Sequence, residues 1–395
     1  MYARFDYPKT DWKTASRLWL FVLAVSVVAA GMGVGRDAKA GGGAMETKSR
    51  AEWKAEYVRP SEVPFPEENP YTADKARLGK MLFFDPRLSG SDYISCGNCH
   101  NPSFAWGDGL PKGIGHGMTR LGRRTPTILN AAWNELQMWD GRFETLEEQV
   151  LGPIETGAEM NQPMEALIGE LKAIPGYRAL FSVAFPEEGI TEETIAKAIA
   201  TYERTVVSGI APFDRWIAGD EDAISEEAKH GFDLFNGKAN CVACHSGWNF
   251  TDGSFQDIGL PDADIGRGKQ FPQVPILQHA FKTPTLRNVV ERGPYMHDGS
   301  LPDLAAVMRH YNDGFVQRPS LSEDIHLLSL TPEEEKALVT FMHTLSSRDE
   351  QVAFPVLPHY DQKSGSGVAR VSSAAGEDDG TARRPLCGGI RHCSD

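Results

Sequence analysis

Two short runs carry the chemistry. Cys96-Gly97-Asn98-Cys99-His100 and Cys241-Val242-Ala243-Cys244-His245 both read C-x-x-C-H. That spacing is the attachment signature of a c-type haem. Two thiols add across the vinyl groups, and the next histidine turns its imidazole to the iron as proximal ligand. In a chain of this composition the motif arises by accident at a rate of about 0.003, so two copies point to two covalent haems. A thioredoxin-like redox pair or half of a zinc site would use the same cysteines. Neither explains a histidine directly after both pairs. The remaining cysteines, Cys387 and Cys393, do not fit the motif, and after export they could close a small local disulfide.

The elements around the motifs repeat. Ala76 to Phe84 stands before the first and Ala228 to Asn236 before the second. Each is a short helical pattern with an internal glycine and apolar residues paired at its end. Shared order around shared chemistry predicts two related haem domains made by internal duplication. Apolar residues at three- and four-residue steps predict helices over Met164 to Ile174, Ile195 to Ser208 and Thr331 to Leu345. The last opens on Thr331-Pro332-Glu333-Glu334, a helix-start signal. Strand-like alternation is scarce. The expected fold is mainly α, two cytochrome-c-like domains with long loops wrapping the cofactors.

The ends of the chain read differently. Arg4, Lys9, Lys13 and Arg17 precede an apolar run from Leu18 to Ala30, and Ala38-Lys39-Ala40 follows. This is the pattern of a secretory signal peptide over residues 1–40. A retained membrane anchor is the alternative, but the run is short for a span. Six basic and three acidic residues leave with that segment, so 34 basic face 51 acidic residues in the mature chain. The 395-residue precursor already carries a net charge of -14. Such an acidic balance argues against nucleic acid as a partner and permits a basic electron carrier. Residues 41–59 read as linker, 60–218 as the first haem domain, 219–362 as the second and 363–395 as a disordered tail. The composition shift at 217–222 sets the boundary. No other run crosses a bilayer, and a periplasm is the expected compartment.

Between and beyond the motifs lies an ordered series of short blocks. They are Gly113-Ile114-Gly115-His116-Gly117, Thr125-Pro126-Thr127, Trp139-Asp140-Gly141-Arg142, Leu146-Glu147-Glu148-Gln149, Gly152-Pro153-Ile154 and Glu159-Met160-Asn161. Lys282 to Asn288 and Gly293 to Gly299 continue the series. In this order the blocks resemble the dihaem bacterial cytochrome c peroxidase and MauG superfamily over roughly residues 60–350. The resemblance implies that the N-terminal haem is the reaction haem. It places Glu159 as the distal acid–base group, with Gln149 and Pro153 lining the same pocket. It makes Trp139 the tryptophan between the haems. A lone Glu is otherwise a solvated carboxylate and a buried Trp a core residue. Arg142 is placed for a charge-assisted contact with a haem propionate.

The far-side ligands divide the family. In the peroxidase branch a loop histidine caps the reaction haem at rest, and His116 matches that position. In the MauG branch this haem is open to peroxide. The C-terminal haem takes Met in the first branch and Tyr in the second. Tyr311 matches the MauG position, and Met308 lies one helical turn earlier on the same face. A phenolate favours ferric and higher iron, whereas a thioether raises the potential. The resemblance also implies a calcium ion between the domains, held by an Asn side chain and two carbonyls. Here Arg124 stands where that Asn belongs, while the carbonyls of Arg292 and Pro294 remain. Calcium wants an oxygen-rich, anionic shell, so the resemblance leaves a calcium ion possible while Arg124 counts against it.

The first functional expectation is a peroxidase that reduces hydrogen peroxide to water with electrons from a small cytochrome c or cupredoxin. The alternative is a MauG-like enzyme that uses peroxide to oxidise residues of a protein substrate. A dihaem electron carrier is a third, and it would need no pocket built from Glu159 and Gln149.

Overall fold

The computed structural model describes residues 48–347 and 352–359. The expected signal peptide and tail, with Cys387 and Cys393, lie outside the described residues. Eleven α-helices and one two-stranded ribbon are found among those described. None of the helices is long and apolar enough to cross a membrane.

Helix α1 (Arg50–Glu56) precedes the first half. That half contains α2 (Ala73–Phe83), α3 (Cys96–Cys99), α4 (Leu146–Glu155), the pair α5 (Met164–Ala173) and α6 (Pro175–Ala184), and α7 (Glu192–Arg204). The second half contains α8 (Pro212–Ile217), α9 (Glu226–Asn236), the ribbon β1 (Phe255–Gln256) and β2 (Phe281–Lys282), α10 (Leu304–Asp313) and α11 (Pro332–His343). The duplicated core is a crossed helix pair in each half, α2 on α7 and α9 on α11. The internal glycines explain the crossing. A Cβ on Gly79 would stand 1.8 Å from the Ala198 carbonyl oxygen, and one on Gly231 2.1 Å from that of Ala337. Only glycine lets the backbones approach this closely.

Two apolar clusters follow. Leu78, Leu82, Phe83, Ile195 and Ile199 centre the first. Phe213, Phe232, Phe235, Phe250 and Phe341 centre the second, where each fully buried ring contributes on the order of 2 kcal/mol. The clusters part between Val206 and Phe213. Helix α8 thus packs with the second half, although the composition shift lies after it. The described part of the expected linker is also structured. Tyr57 is fully buried in the second cluster and donates to Asn236 Oδ1 at 2.7 Å.

Helix α7 begins a turn before its apolar pattern, because Thr191 and Thr194 cap it and two glutamates fill the first turn. It ends before Ser208, whose backbone N–H is taken by Asn130 Oδ1 at 2.9 Å. Thr331 caps α11 with Glu334 as its motif predicts.

A second repeat escaped the sequence reading. Positions 124 to 155 recur as 282 to 313, a constant offset of 158 residues, as 282 against 124 shows. Asn130 and Asn288 take left-handed backbone at φ 61 and 54°, Met138 and Met296 at 70 and 71°. Thr145 and Asp303 cap α4 and α10. In this register Trp139 corresponds to His297, Val150 to Met308 and Pro153 to Tyr311.

Candidate active site

Each C-x-x-C-H run is a single tight turn. His100 follows α3, and its Nδ1 lies 3.3 Å from the Trp106 carbonyl. His245 Nδ1 lies 2.9 Å from the Phe250 carbonyl. A carbonyl only accepts, so Nδ1 carries the proton and Nε2 keeps a free lone pair. Burial lowers the pKa of both imidazoles, which keeps them neutral as ligands must be. The four thiols are unpaired with each other. Burial pushes Cys99 and Cys244 up to about 11 and Cys241 to about 12. Thiols held protonated argue against a thiolate redox pair. Among the described residues, no three His, Cys, Asp or Glu side chains gather to hold a metal ion directly.

A cavity of about 850 Å³ reaches both motifs. Its wall includes Cys96, Cys99 and His100 at one end and Cys241, Cys244 and His245 at the other. The donor set and the space fit two attached haems.

Most of the expected site residues meet on this wall. Gln149, Pro153, Glu159, Trp139 and Arg142 line it in the first half, and Met308 and Tyr311 in the second. Helix α4 presents Gln149 and Pro153 one turn apart, and Gln149 Nε2 reaches Met138 Sδ at 3.7 Å. Burial raises the pKa of the Glu159 carboxyl, against the pull of Arg142. Its proton is thus held more firmly than on a solvated glutamate. The Trp139 indole donates to the Arg124 carbonyl at 2.8 Å. Arg142 Nη1 sits 3.0 Å from Asp140 Oδ1, and Arg123 bridges Asp140 at 2.7 Å and Asp264 at 2.6 Å. Burial raises Asp140 and the arginines outweigh it, leaving its carboxyl below the usual range. Tyr311 is pushed up by burial, with Cys241 and Cys244 adding to the effect. Met308 is 5% exposed and packs in the second core.

His116 is set apart from this wall. Its Nε2 lies 3.3 Å from Asn161 Nδ2, and its backbone N–H is taken by the Ala158 and Glu159 carbonyls. Arg124, at the expected calcium position, turns its guanidinium Nη2 onto the Arg292 carbonyl. That is one of the carbonyls the ion would use, so these residues do not fit calcium.

Three buried groups were missed. Glu203 on α7 is 4% exposed, lines the cavity and has Oε2 without a hydrogen bond. Lys282 donates from Nζ to the Leu136 carbonyl at 2.6 Å. His297 stacks on Phe281 with ring centroids 3.5 Å apart. The last two lie inside the second repeat, which would have flagged them as counterparts of Arg124 and Trp139.

The fold and site define a two-haem, cytochrome-c-like redox enzyme. The di-haem cytochrome c peroxidase family matches residues 73–222, and the cytochrome c family matches residues 228–346. The methylamine utilization protein MauG of Methylophilus methylotrophus is 50% identical over 308 residues, covering 77% of this chain and 92% of the relative. The cytochrome c551 peroxidase of Pseudomonas aeruginosa is 34% identical and covers 75% and 87%. A solved MauG-like protein associated with microbial copper homeostasis superposes with a TM-score of 0.69 at 29% identity, covering 74% and 94%. The chain belongs to the di-haem cytochrome c peroxidase and MauG family. It is an oxidoreductase of two covalent c-type haems that acts on peroxide, with an electron donor or a protein as the other substrate.

Proposed function

We propose that this enzyme is of the MauG type, spending peroxide on the oxidation of residues in a protein substrate rather than drawing electrons from a small carrier. One observation carries the reading. The internal repeat sets Pro153 and Tyr311 at the same position of α4 and α10, both on the cavity wall. A proline ring has no donor atom, so Pro153 would leave the far face of the first haem open. A phenol has one, and with iron taking its proton Tyr311 would close the far face of the second haem as a phenolate. The position of His116, away from the wall and against Asn161, supports an open first haem. The 50% identity to a protein named MauG points the same way.

His100 and His245 would hold the irons, and Cys96, Cys99, Cys241 and Cys244 the porphyrin edges. When bound, the haems would supply the electrons for cleaving the peroxide bond. The chain's own residues do the rest. Glu159 takes a proton from one peroxide oxygen and returns it to the other. Gln149 and Pro153 shape the space above the first haem. Arg142 would hold a propionate while paired with Asp140. Trp139, hydrogen-bonded to the Arg124 backbone, stands between the halves and passes charge. The apolar run and cleavage pattern of residues 1–40 support a periplasmic location.

A peroxide scavenger fed by a small cytochrome c or cupredoxin is the second reading. Met308 favours it, since that thioether reaches the same cavity. The test is peroxide added to the fully ferric protein. Consumption of stoichiometric peroxide without pre-reduction, with spectral change at both haems, supports the MauG type. An obligatory one-electron reduction, followed by fast turnover with reduced cytochrome c, would replace it with the scavenger.

A further inference from the structure

We propose that Arg124 and Lys282 together form a built-in cation clasp between the two haem halves, and that this clasp replaces the calcium ion expected there. The inference does not depend on which branch the enzyme follows.

The clasp is reciprocal. Residue 282 is the repeat counterpart of residue 124, as 297 is of 139. The Arg124 backbone N–H donates to the His297 carbonyl at 2.7 Å, and the Lys282 backbone N–H donates to the Trp139 carbonyl at 2.8 Å. Each half therefore gives the other the same bond. The side chains repeat the exchange. Arg124 Nη2 donates to the Arg292 carbonyl, and Lys282 Nζ donates to the Leu136 carbonyl at 2.6 Å. Leu136 is the counterpart of Pro294, whose carbonyl is the other one expected to face calcium.

The chemistry of the donors excludes the ion. Calcium takes six to eight oxygens, several of them anionic. The carbonyl oxygen of Arg292 already accepts from a guanidinium. Arg292 itself sends Nη2 to the Thr285 carbonyl at 2.6 Å, so a second buried guanidinium lies in the same region. Burial lowers the pKa of both arginines, and the Arg124 charge lowers that of Arg292 further. A divalent ion would add like charge where carboxylates are wanting. Among the described residues no acidic cluster offers an alternative seat. The guanidinium performs the ion's structural task, drawing a carbonyl of the second half onto the first. It also fixes the backbone oxygen that holds the Trp139 indole.

The experiment uses the purified two-haem protein. Metal analysis should find calcium far below one per chain. Dialysis against EGTA should leave the haem spectra, both midpoint potentials and the melting temperature unchanged. The variant Arg124→Asn restores an oxygen donor. It should melt lower in EGTA and recover on adding calcium chloride, whereas Arg124→Lys should stay indifferent to calcium. One tightly held calcium in the wild type, with altered haem spectra on its removal, would overturn the proposal. So would an Arg124→Asn protein as stable in EGTA as the parent. If Arg124→Asn does not fold, the wild-type calcium content and EGTA response decide alone.

Discussion

The two halves are built alike and differ where chemistry needs them to. Both cross a glycine-bearing helix with a second helix, at Gly79 over Ala198 and at Gly231 over Ala337. Both hold a histidine with Nδ1 on a backbone carbonyl. Both lay a capped helix, α4 or α10, along the cavity. On those helices the same position is Pro153 in one half and Tyr311 in the other. The scaffold fixes where a far-side group would stand, and one substitution decides whether there is one. Pro153 also costs α4 an N–H for its own ladder, at the eighth of the helix's ten residues. On the proposed reading, a peroxide site and a charge-storing site would need no different folds, only Pro153 in one half and Tyr311 in the other.

The largest effect should come from dismantling one half. Cys96→Ser with Cys99→Ser removes both thioether anchors and should abolish peroxide turnover. A pyridine haemochrome assay should then report one covalent haem per chain, because the second half has its own core and motif. No haem at all would show that the halves do not load independently. Next in size is the proton shuttle. Glu159→Gln should cost about 10²-fold or more in turnover, the scale of lost acid–base help, while both haems stay attached. Burial raises the Glu159 carboxyl. The acid limb of the parent's pH profile should therefore lie above the usual glutamate range, with activity falling as pH drops through it. That limb should vanish in the variant.

A smaller and more selective change tests the contrast itself. Tyr311→Phe should remove the low-spin signal of the second haem and raise its potential, and should leave the first haem's spectrum in place. Met308→Leu should alter neither. If only Met308→Leu perturbs the low-spin haem, α10 reaches the iron one turn earlier and the parallel with Pro153 fails.

Much of this was legible beforehand because haem attachment writes itself in sequence. The two C-x-x-C-H runs fix four thiols and two imidazoles within five residues each, and the capping pattern at Thr331 fixes the start of α11. The resemblance gathered Gln149, Pro153, Glu159 and Tyr311, which the fold brings to one wall. The reciprocal bonds of Arg124 and Lys282 were not legible. They join residues over 140 positions apart, and all of them end on backbone carbonyls that carry no sequence signal. Nor was α1 assigned from the sequence, although a Ser49–Glu52 capping box opens it; Tyr57 at its end anchors it among Phe213, Phe232 and Phe250.

The smallest effect falls on stability rather than rate, and it concerns a second position where the halves part. Helices α7 and α11 superpose in the register that matches Ala198 with Ala337 and Tyr202 with Phe341. Glu203 then corresponds to Met342, and both line the cavity. The Glu203 carboxyl is buried, has an unpartnered oxygen and is pushed up to about 8 by burial, although Arg204 pulls it down and Glu147 adds to the rise. Its proton is therefore bound more tightly in the folded state than in the unfolded one, where a glutamate releases it near pH 4.5. Stability from this group is whole below that value and is lost as pH climbs to about 8. Glu203→Met copies the second half and has no proton to lose. Its melting temperature should match the parent's near pH 4.5 and exceed it by several degrees at pH 8, at roughly 2–4 °C per kcal/mol. Equal melting at both pH values would mean that the carboxyl is neutralised by a partner in the loaded protein, and that the two helices differ there in sequence but not in charge.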